Sequence, residues 1–417
     1  MNAEVLCDRF EISGRVREAA LRAQARVAAL RYPAQEAVAA SVLRAFLDEG
    51  IDESALAGTS GYGYDDAARA HYESLLARIF GAQRALARLS IVSGTHAIVA
   101  TIAACVPPGE TLLSITGTPY DTLRNAIADA PDSLVAQGTR YREIPLTKEG
   151  IDLAAVREAL RSDEIAAVFI QRSRGYAPRP SLSVDACAAA TAAVKEASPQ
   201  TLVLVDNCYG ELVQTREPTH DGADLVMGSL IKNLGGTLAP GGGYVAGRST
   251  LVDRVATRLY APGLHDRLGP TLGFGKLLVQ GLFQAPLVVE QCLRGLDFAA
   301  ALFEALGFDV DPTPGAVRCD IVQAIRLGDP ESLLRFAGGL QSAMPLNARF
   351  RPEPGAVPGY TAPVVMSSGA FVGGATIELS CDAPMRPPYE VYLQGGISRA
   401  HGMLGALFAA RAVTEAL

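Results

Sequence analysis

In GSLIKNLGGTLAPGGGYVAG, residues 228–247, a single lysine, Lys232, stands between an apolar run and a series of glycines. The chain has only three others, Lys148, Lys195 and Lys276, so any chemistry that needs an amine rather than a guanidinium has four candidates. Lys148 lies in the turn-like PLTKEG, Lys195 on an alanine-rich stretch, and Lys276 at the start of a helical run in GFGKLLVQG. Lys232 alone follows an apolar strand pattern, ADLVMGS, and it has a partner 26 residues earlier: TLVLVDN ends on Asp206. In open α/β sheets ligands bind at the carboxyl ends of strands, so two consecutive strand ends place this amine and this carboxylate in one crevice. The pair suits pyridoxal phosphate. The lysine would form a Schiff base with the aldehyde, and the aspartate would keep the pyridinium nitrogen protonated so that the ring can absorb carbanion charge.

Other residues would hold the rest of such a cofactor. IVSGTHA (91–97) sets Ser93, Gly94 and Thr95 between an apolar strand and a helix, where free N–H groups and the helix dipole favour a phosphate. Ser229, three residues before Lys232, is a further donor. TGTPYDT places Tyr120 at another strand-to-helix junction, where its ring could stack on a pyridine. His96 either lies over the cofactor or caps the helix. Cys208 reads as a small buried cysteine and not as a nucleophile, because no histidine lies near it in sequence. His71, His220, His265 and His401 show no metal-ligand spacing, and no metal site is expected.

The elements that must position these residues alternate along the chain. The apolar runs LLSIT, AAVFIQ, TLVLVDN and ADLVMGS are separated by helical stretches near 95–105, 153–161 and 183–197. Strands buried on both faces and joined by helices predict an α/β fold with a mainly parallel central sheet. Residues 14–50 read as helix interrupted at Pro33, and a long helical region covers about 272–306. Beyond it, DIVQAIRL, ESLLRFAGGLQSA and ATIELSCD predict a smaller α+β unit. The expected organisation is an N-terminal helical segment, 1–57, a large domain, 58–307, and a small C-terminal domain, 308–417. Net charge is −7, with no long basic run, which argues against nucleic acid or an anionic membrane as partner. The seven cysteines are scattered without a CxxC pair and fit a reducing, cytoplasmic compartment. No apolar run reaches the length of a membrane span.

Taken together and in order, SGTHA, TGTPYDT, IQRSRGY, VDNCYGE, GSLIKN and RPPYEVYLQGG resemble the methionine gamma-lyase-like family, also called aluminium resistance proteins. It is a branch of the pyridoxal-phosphate enzymes of cysteine and methionine metabolism, on the aspartate-aminotransferase (type I) fold. The resemblance runs from GYGYDD to about residue 400. It implies Lys232 as Schiff-base lysine, Asp206 as pyridinium partner, Gly94, Thr95 and Ser229 around the phosphate, Tyr120 as stacking residue, and a homotetramer of tight dimers. GYGYDD stands where relatives send a tyrosine and an arginine to a neighbouring subunit's phosphate. Here Tyr62 and Tyr64 are present without the arginine.

Three features depart from the resemblance. Ile231 replaces the threonine before the lysine, Leu234 stands where relatives carry proline, and Glu378 occupies the place of the arginine that binds the substrate carboxylate. Glu378 would repel that group, so another cation is needed: Arg386 in MRPPY first, or Arg172 or Arg174 in QRSRGY. The expected activity is elimination, carbon–sulfur cleavage above all, from an amino acid such as methionine, cystathionine or one with an unusual activated side chain. A freed Lys232, its pKa lowered by a cation-rich site, would move the α-proton, and Tyr120 would protonate the leaving group. The alternatives are γ-replacement, transamination or aldol cleavage on the same fold, or a non-catalytic resistance or binding protein. Partners are expected to be a small amino-acid substrate and further copies of the chain, as dimer or tetramer.

Overall fold

A computed structural model describes residues 2–415. Seven strands build the central sheet: β1 (Arg84–Arg88), β2 (Thr111–Ser114), β3 (Arg140–Glu143), β4 (Ala167–Gln171), β5 (Leu202–Asp206), β6 (Leu225–Ser229) and β7 (Gly243–Gly247), in the order β1-β7-β6-β5-β4-β2-β3. Strands β2 to β6 pair in parallel, and only β7 runs against its neighbours. The inner strands β2, β4 and β6 are buried at every position. Their near-continuous Val, Leu, Ile and Phe content follows from helices covering both faces of the sheet. The helices Gly94–Cys105, Leu153–Ser162 and Val184–Ala197 coincide with the helical stretches read from the sequence.

A second sheet, antiparallel throughout, contains β8 (Asp309–Asp311), β9 (Val322–Arg326), β10 (Val364–Ser368), β11 (Ser380–Pro384) and β12 (Glu390–Gln394), ordered β10-β11-β12-β9-β8. Of ATIELSCD only the end is strand, because Ala375–Leu379 forms a turn that delivers the chain to β11. The 32-residue helix Gly275–Leu306 joins the two sheets. It packs on Gly14–Val27, Pro33–Glu49 and the last helix, Arg399–Thr414. Pro33 does not break a helix. It begins one at the first helical position, where a missing N–H costs nothing. Among the described residues no helix is long and apolar enough to cross a membrane.

Candidate functional site

Gln171, Asp206 and Ser229 end the three adjacent parallel strands β4, β5 and β6, with Gln171 and Asp206 in register. Above these ends lies a cavity of about 250 Å³. Ser93, Gly94 and Thr95 form one wall at the start of the 12-residue helix. The Ser93 hydroxyl accepts the His96 N–H at 3.0 Å and sets the helix start. Gly94 is tightly enclosed: a Cβ there would stand 3.3 Å from Cys208 Sγ and Ser229, which would have to give by a few tenths of an ångström. Tyr120 closes another side. Its hydroxyl lies 2.8 Å from Thr95 Oγ1, and its N–H donates to Gln171 Oε1 at 2.9 Å.

Lys232 and Asp206 line the same cavity. The lysine makes no hydrogen bond to the described residues, and its Nζ lies 4.0 Å from the centre of the Tyr209 ring. The residue is half-buried, and an amine at a cavity wall with no carboxylate or carbonyl acceptor is free for covalent use. Burial pulls the Lys232 pKa down, but Cys208, Tyr209, Tyr120 and Asp206 outweigh it and lift the group well above the ordinary lysine range. The expected cation-rich surroundings are therefore absent among the described residues. The groups that face this amine are acids, a phenol pair and a thiol. Burial raises Asp206, and Lys232 and the Cys208 N–H, 3.1 Å from Oδ1, oppose it.

The residues after the lysine explain its glycines. Asn233 Nδ2 donates to the carbonyls of Tyr209 and Glu211 at 2.9 and 2.8 Å, tying the lysine turn to the loop after β5. A Cβ on Gly236 would come within 2.1 Å of the Gly281 carbonyl, so glycine lets the turn lie backbone to backbone on the long helix. Leu234, unexplained by the resemblance, is fully buried in the core beneath this turn.

Other candidates lie elsewhere. His96 is absent from the cavity lining, and its Nδ1 accepts the Val92 N–H at 3.3 Å. Arg172 is 1% exposed and spends its fork internally, on Leu182, Asn207, Gly210 and Gln214, with Glu217 at 3.5 Å. It has no edge left for a substrate. Arg174 is buried outside the cavity lining and pairs with Asp311 at 2.7 Å. Arg386, 37% exposed at its side chain, reaches Asp121 and the Tyr176 carbonyl, each at 3.2 Å. It sits one residue layer outside the cavity, beside two residues that flank or line it. Glu378 turns inward to accept the Phe371 and Val372 N–H groups, so it caps a turn and faces no substrate. Tyr62 and Tyr64 are exposed and form a pair 5.8 Å apart, away from the cavity. Their loop is held rigidly: Asp66 accepts from Thr59 and Thr271, and Arg69 donates to the carbonyls of Gly63 and Gly269.

Tyr176, Tyr209, Tyr360 and Gln171 line the cavity without having been singled out from the sequence. Tyr176 stacks on Tyr392 and tilts against Tyr360. Behind it Asp382, raised by burial, accepts Gln394 Nε2 at 2.7 Å. The YGE and RGY of two quoted motifs held this signal for Tyr209 and Tyr176, whereas Tyr360 lies in a segment with no pattern. Among the described residues no cluster of His, Cys, Asp or Glu could hold a metal ion.

Glu211, beneath the lysine turn, is wholly buried and pushed up to about 8, although the Tyr244 hydroxyl donates to it at 2.9 Å. An acid raised on folding keeps its proton in the native state while the unfolded chain loses it. Its contribution is complete below the unfolded value near 4.5 and is lost as pH rises towards 8. Thermal midpoints at pH 5.5 and pH 8 should therefore differ less in Glu211→Gln than in the wild type. An equal fall in both proteins would mean Glu211 contributes nothing to it.

A lysine, a strand-end aspartate, a helix N-terminus with a glycine and an aromatic ring fit pyridoxal phosphate at its aldehyde, ring nitrogen, phosphate and ring face. The comparisons agree. The methionine gamma-lyase family profile matches residues 16–414. A solved protein involved in aluminum resistance from Clostridium acetobutylicum is 39% identical, with a TM-score of 0.94 and 98% of each chain covered. A carbon-sulfur lyase involved in aluminum resistance from Clostridium novyi NT is 36% identical, with a TM-score of 0.92 and 98% of each chain covered. The uncharacterized Bacillus subtilis (strain 168) protein YnbB is 41% identical over 365 residues, 86% of either chain. The fold is that of the type I pyridoxal-phosphate lyases, and the chain belongs to the methionine gamma-lyase family.

Proposed function

We propose that this protein is a pyridoxal-phosphate-dependent carbon–sulfur lyase that eliminates a thiol or thioether group from the side chain of an amino acid such as cystathionine or methionine. The observation that carries the reading is the half-buried Lys232, without a hydrogen-bond acceptor among the described residues, in one cavity with Asp206 and the helix start Ser93–Thr95. Pyridoxal phosphate, when bound, supplies the electron sink for charge left at the substrate α-carbon. Lys232 would be the covalent anchor, and its amine, released in the neutral form when substrate replaces it, would be placed to take the α-proton. Asp206 would hold a proton on the ring nitrogen. The N–H groups of Gly94 and Thr95, with the hydroxyls of Ser93 and Ser229, would hold the phosphate, and Tyr120 would cover the ring. Burial and then Asp206 raise Tyr120 well above its ordinary value, so its hydroxyl stays protonated and can donate to departing sulfur.

Incubation with L-cystathionine, L-methionine and L-cysteine, followed by assay of 2-oxoacid, ammonia and free thiol, tests the reading. Formation of an amino-acid product without ammonia would replace it with γ-replacement or transamination.

The substrate carboxylate is assigned to Arg386, the one of the three proposed arginines whose fork is not fully buried. A guanidinium offers two parallel N–H bonds that an ammonium cannot reproduce. Arg386→Lys should raise KM by about tenfold or more, the loss of a charge-assisted hydrogen bond, and leave the cofactor spectrum unchanged. An unaltered KM would move the role to Arg174.

The proposal includes self-association in a cytoplasmic setting. Leu43, Leu47, Phe283 and Leu287 are exposed on the packed helices Pro33–Glu49 and Gly275–Leu306, an apolar face that suits a second copy. All seven cysteines are free. The exposed Tyr62–Tyr64 pair, on a fixed loop, is assigned to a neighbouring subunit's phosphate.

A further inference from the structure

Lys232 Nζ stands 4.0 Å from the centre of the Tyr209 ring, within the distance at which a π-face attracts a cation. The loop after β5 is built to hold that ring there. Tyr209 has φ 70°, a left-handed conformation that is costly for a bulky residue. Gly210 beside it has no positive φ and serves space instead, because a Cβ there would come within 2.5 Å of Arg172 Nη1. The strain therefore falls on the residue that carries a ring and not on the glycine that could take it without cost. The Tyr209 carbonyl also accepts Asn233 Nδ2 at 2.9 Å, so the residue after the lysine is tied to the same tyrosine. On its far side Tyr209 packs against Val322, Ala324 and Tyr392 of β9 and β12.

The other ionisable groups around the amine are Asp206 at the end of β5, Cys208 and Glu211 in the loop after it, Tyr120 at its helix start and Asp382 on β11. Burial pushes the Tyr209 hydroxyl up to about 12, so the phenol is uncharged near neutral pH and the amine meets a ring face, not a phenolate. A ring face attracts an ammonium and is indifferent to a neutral amine. We propose that Tyr209 is a positioning residue whose ring receives the released Lys232 amine and stabilises the ammonium formed when that amine takes the α-proton. The inference rests on the role proposed above for Lys232. In that step the substrate C–H bond breaks, its electron pair stays with the substrate, and the proton forms a new N–H bond at Nζ. A carboxylate in this place would bond the ammonium and retain the proton. A ring stabilises the charge without an acceptor lone pair, so the N–H groups stay free to deliver the proton onward.

Competitive labelling of the full chain, freed of cofactor, with acetic anhydride over a series of pH values tests this. Peptide mapping then gives the protonation midpoint of Lys232, with the exposed Lys148 as internal standard. Access to the cavity alters how much label is taken up but not the pH at which half of it develops. In Tyr209→Met, which fills the place of the ring without a π-face, the midpoint should lie about one pH unit or more below that of the wild type. Tyr209→Phe should keep the wild-type midpoint. Tyr209→Asn repeats the loss of the ring with a side chain that tolerates positive φ, so a folding defect in the methionine variant does not decide the result. In the loaded enzyme Tyr209→Met should lower kcat by about tenfold and leave KM within about twofold, the split expected when only proton transfer suffers. A midpoint unmoved in both ringless variants, a midpoint lowered equally in Tyr209→Phe, or an unchanged kcat each overturns the proposal. Absence of a borohydride-fixed label on Lys232 in the loaded wild type would instead overturn the role of the lysine itself, whatever the midpoints.

Discussion

Lys232→Ala is expected to abolish both covalent cofactor attachment and elimination. In the wild type, borohydride followed by peptide mapping should leave a pyridoxyl label on the peptide that carries Lys232. The variant should show none, and turnover should fall by about 10³-fold or more, because anchor and proton-transfer group are lost together. The structure accounts for the other three amines. Lys195 is engaged by the buried Asp224 at 2.6 Å and the Thr201 carbonyl at 2.8 Å. Lys148 and Lys276 point to solvent. A label on Lys276 would sink the assignment and, with it, the reading of the cavity.

Asp206→Asn should leave the cofactor bound and the fold intact, yet lower the elimination rate by about 10²- to 10³-fold, the scale seen when one preorganised electrostatic group is removed. The amide is isosteric and can still accept the Cys208 N–H now bonded to Oδ1, so packing is preserved. What is lost is the negative charge proposed to hold a proton on the ring nitrogen. The diagnostic is a split readout: an unchanged cofactor content together with a collapsed kcat. Near-normal turnover would mean that another group performs this task.

The part of the site carried by strand ends and helix starts was legible because periodicity and caps encode it locally. Asp206, Ser229, Lys232 and the Ser93–Thr95 turn could all be placed that way. Strands β1 and β7 were not legible. RALAR, with two arginines in five residues, carries no strand pattern, yet Arg88 is 3% exposed and pairs internally with Glu73, a tertiary partner that no local pattern announces. GYVAG reads as a glycine tract until it is seen that Gly247 lies against the backbone of Asp224. The arginine assignments were weak for the same reason. Whether a guanidinium meets substrate or carbonyl oxygens is decided by distant residues, and Arg172 is satisfied by groups from Leu182 to Gln214. The tyrosines of the far wall come from three separate regions, and only the fold makes them neighbours.

The contact between the lysine turn and the long helix leaves no side chain to act as a cushion. A Cβ at Gly281 would stand 2.3 Å from the Gly235 carbonyl, and one at Gly236 would stand 2.1 Å from that of Gly281. The two backbones behave as a bearing without clearance, and the same helix also packs on β8, β9 and β12 of the second sheet. A change in that helix's position would therefore move the lysine turn directly, since no side chain lies between the two backbones to absorb it. A single methyl group at 235, 236 or 281 should accordingly shift the lysine turn, because a backbone oxygen stands at 2.5, 2.1 or 2.3 Å from the added Cβ.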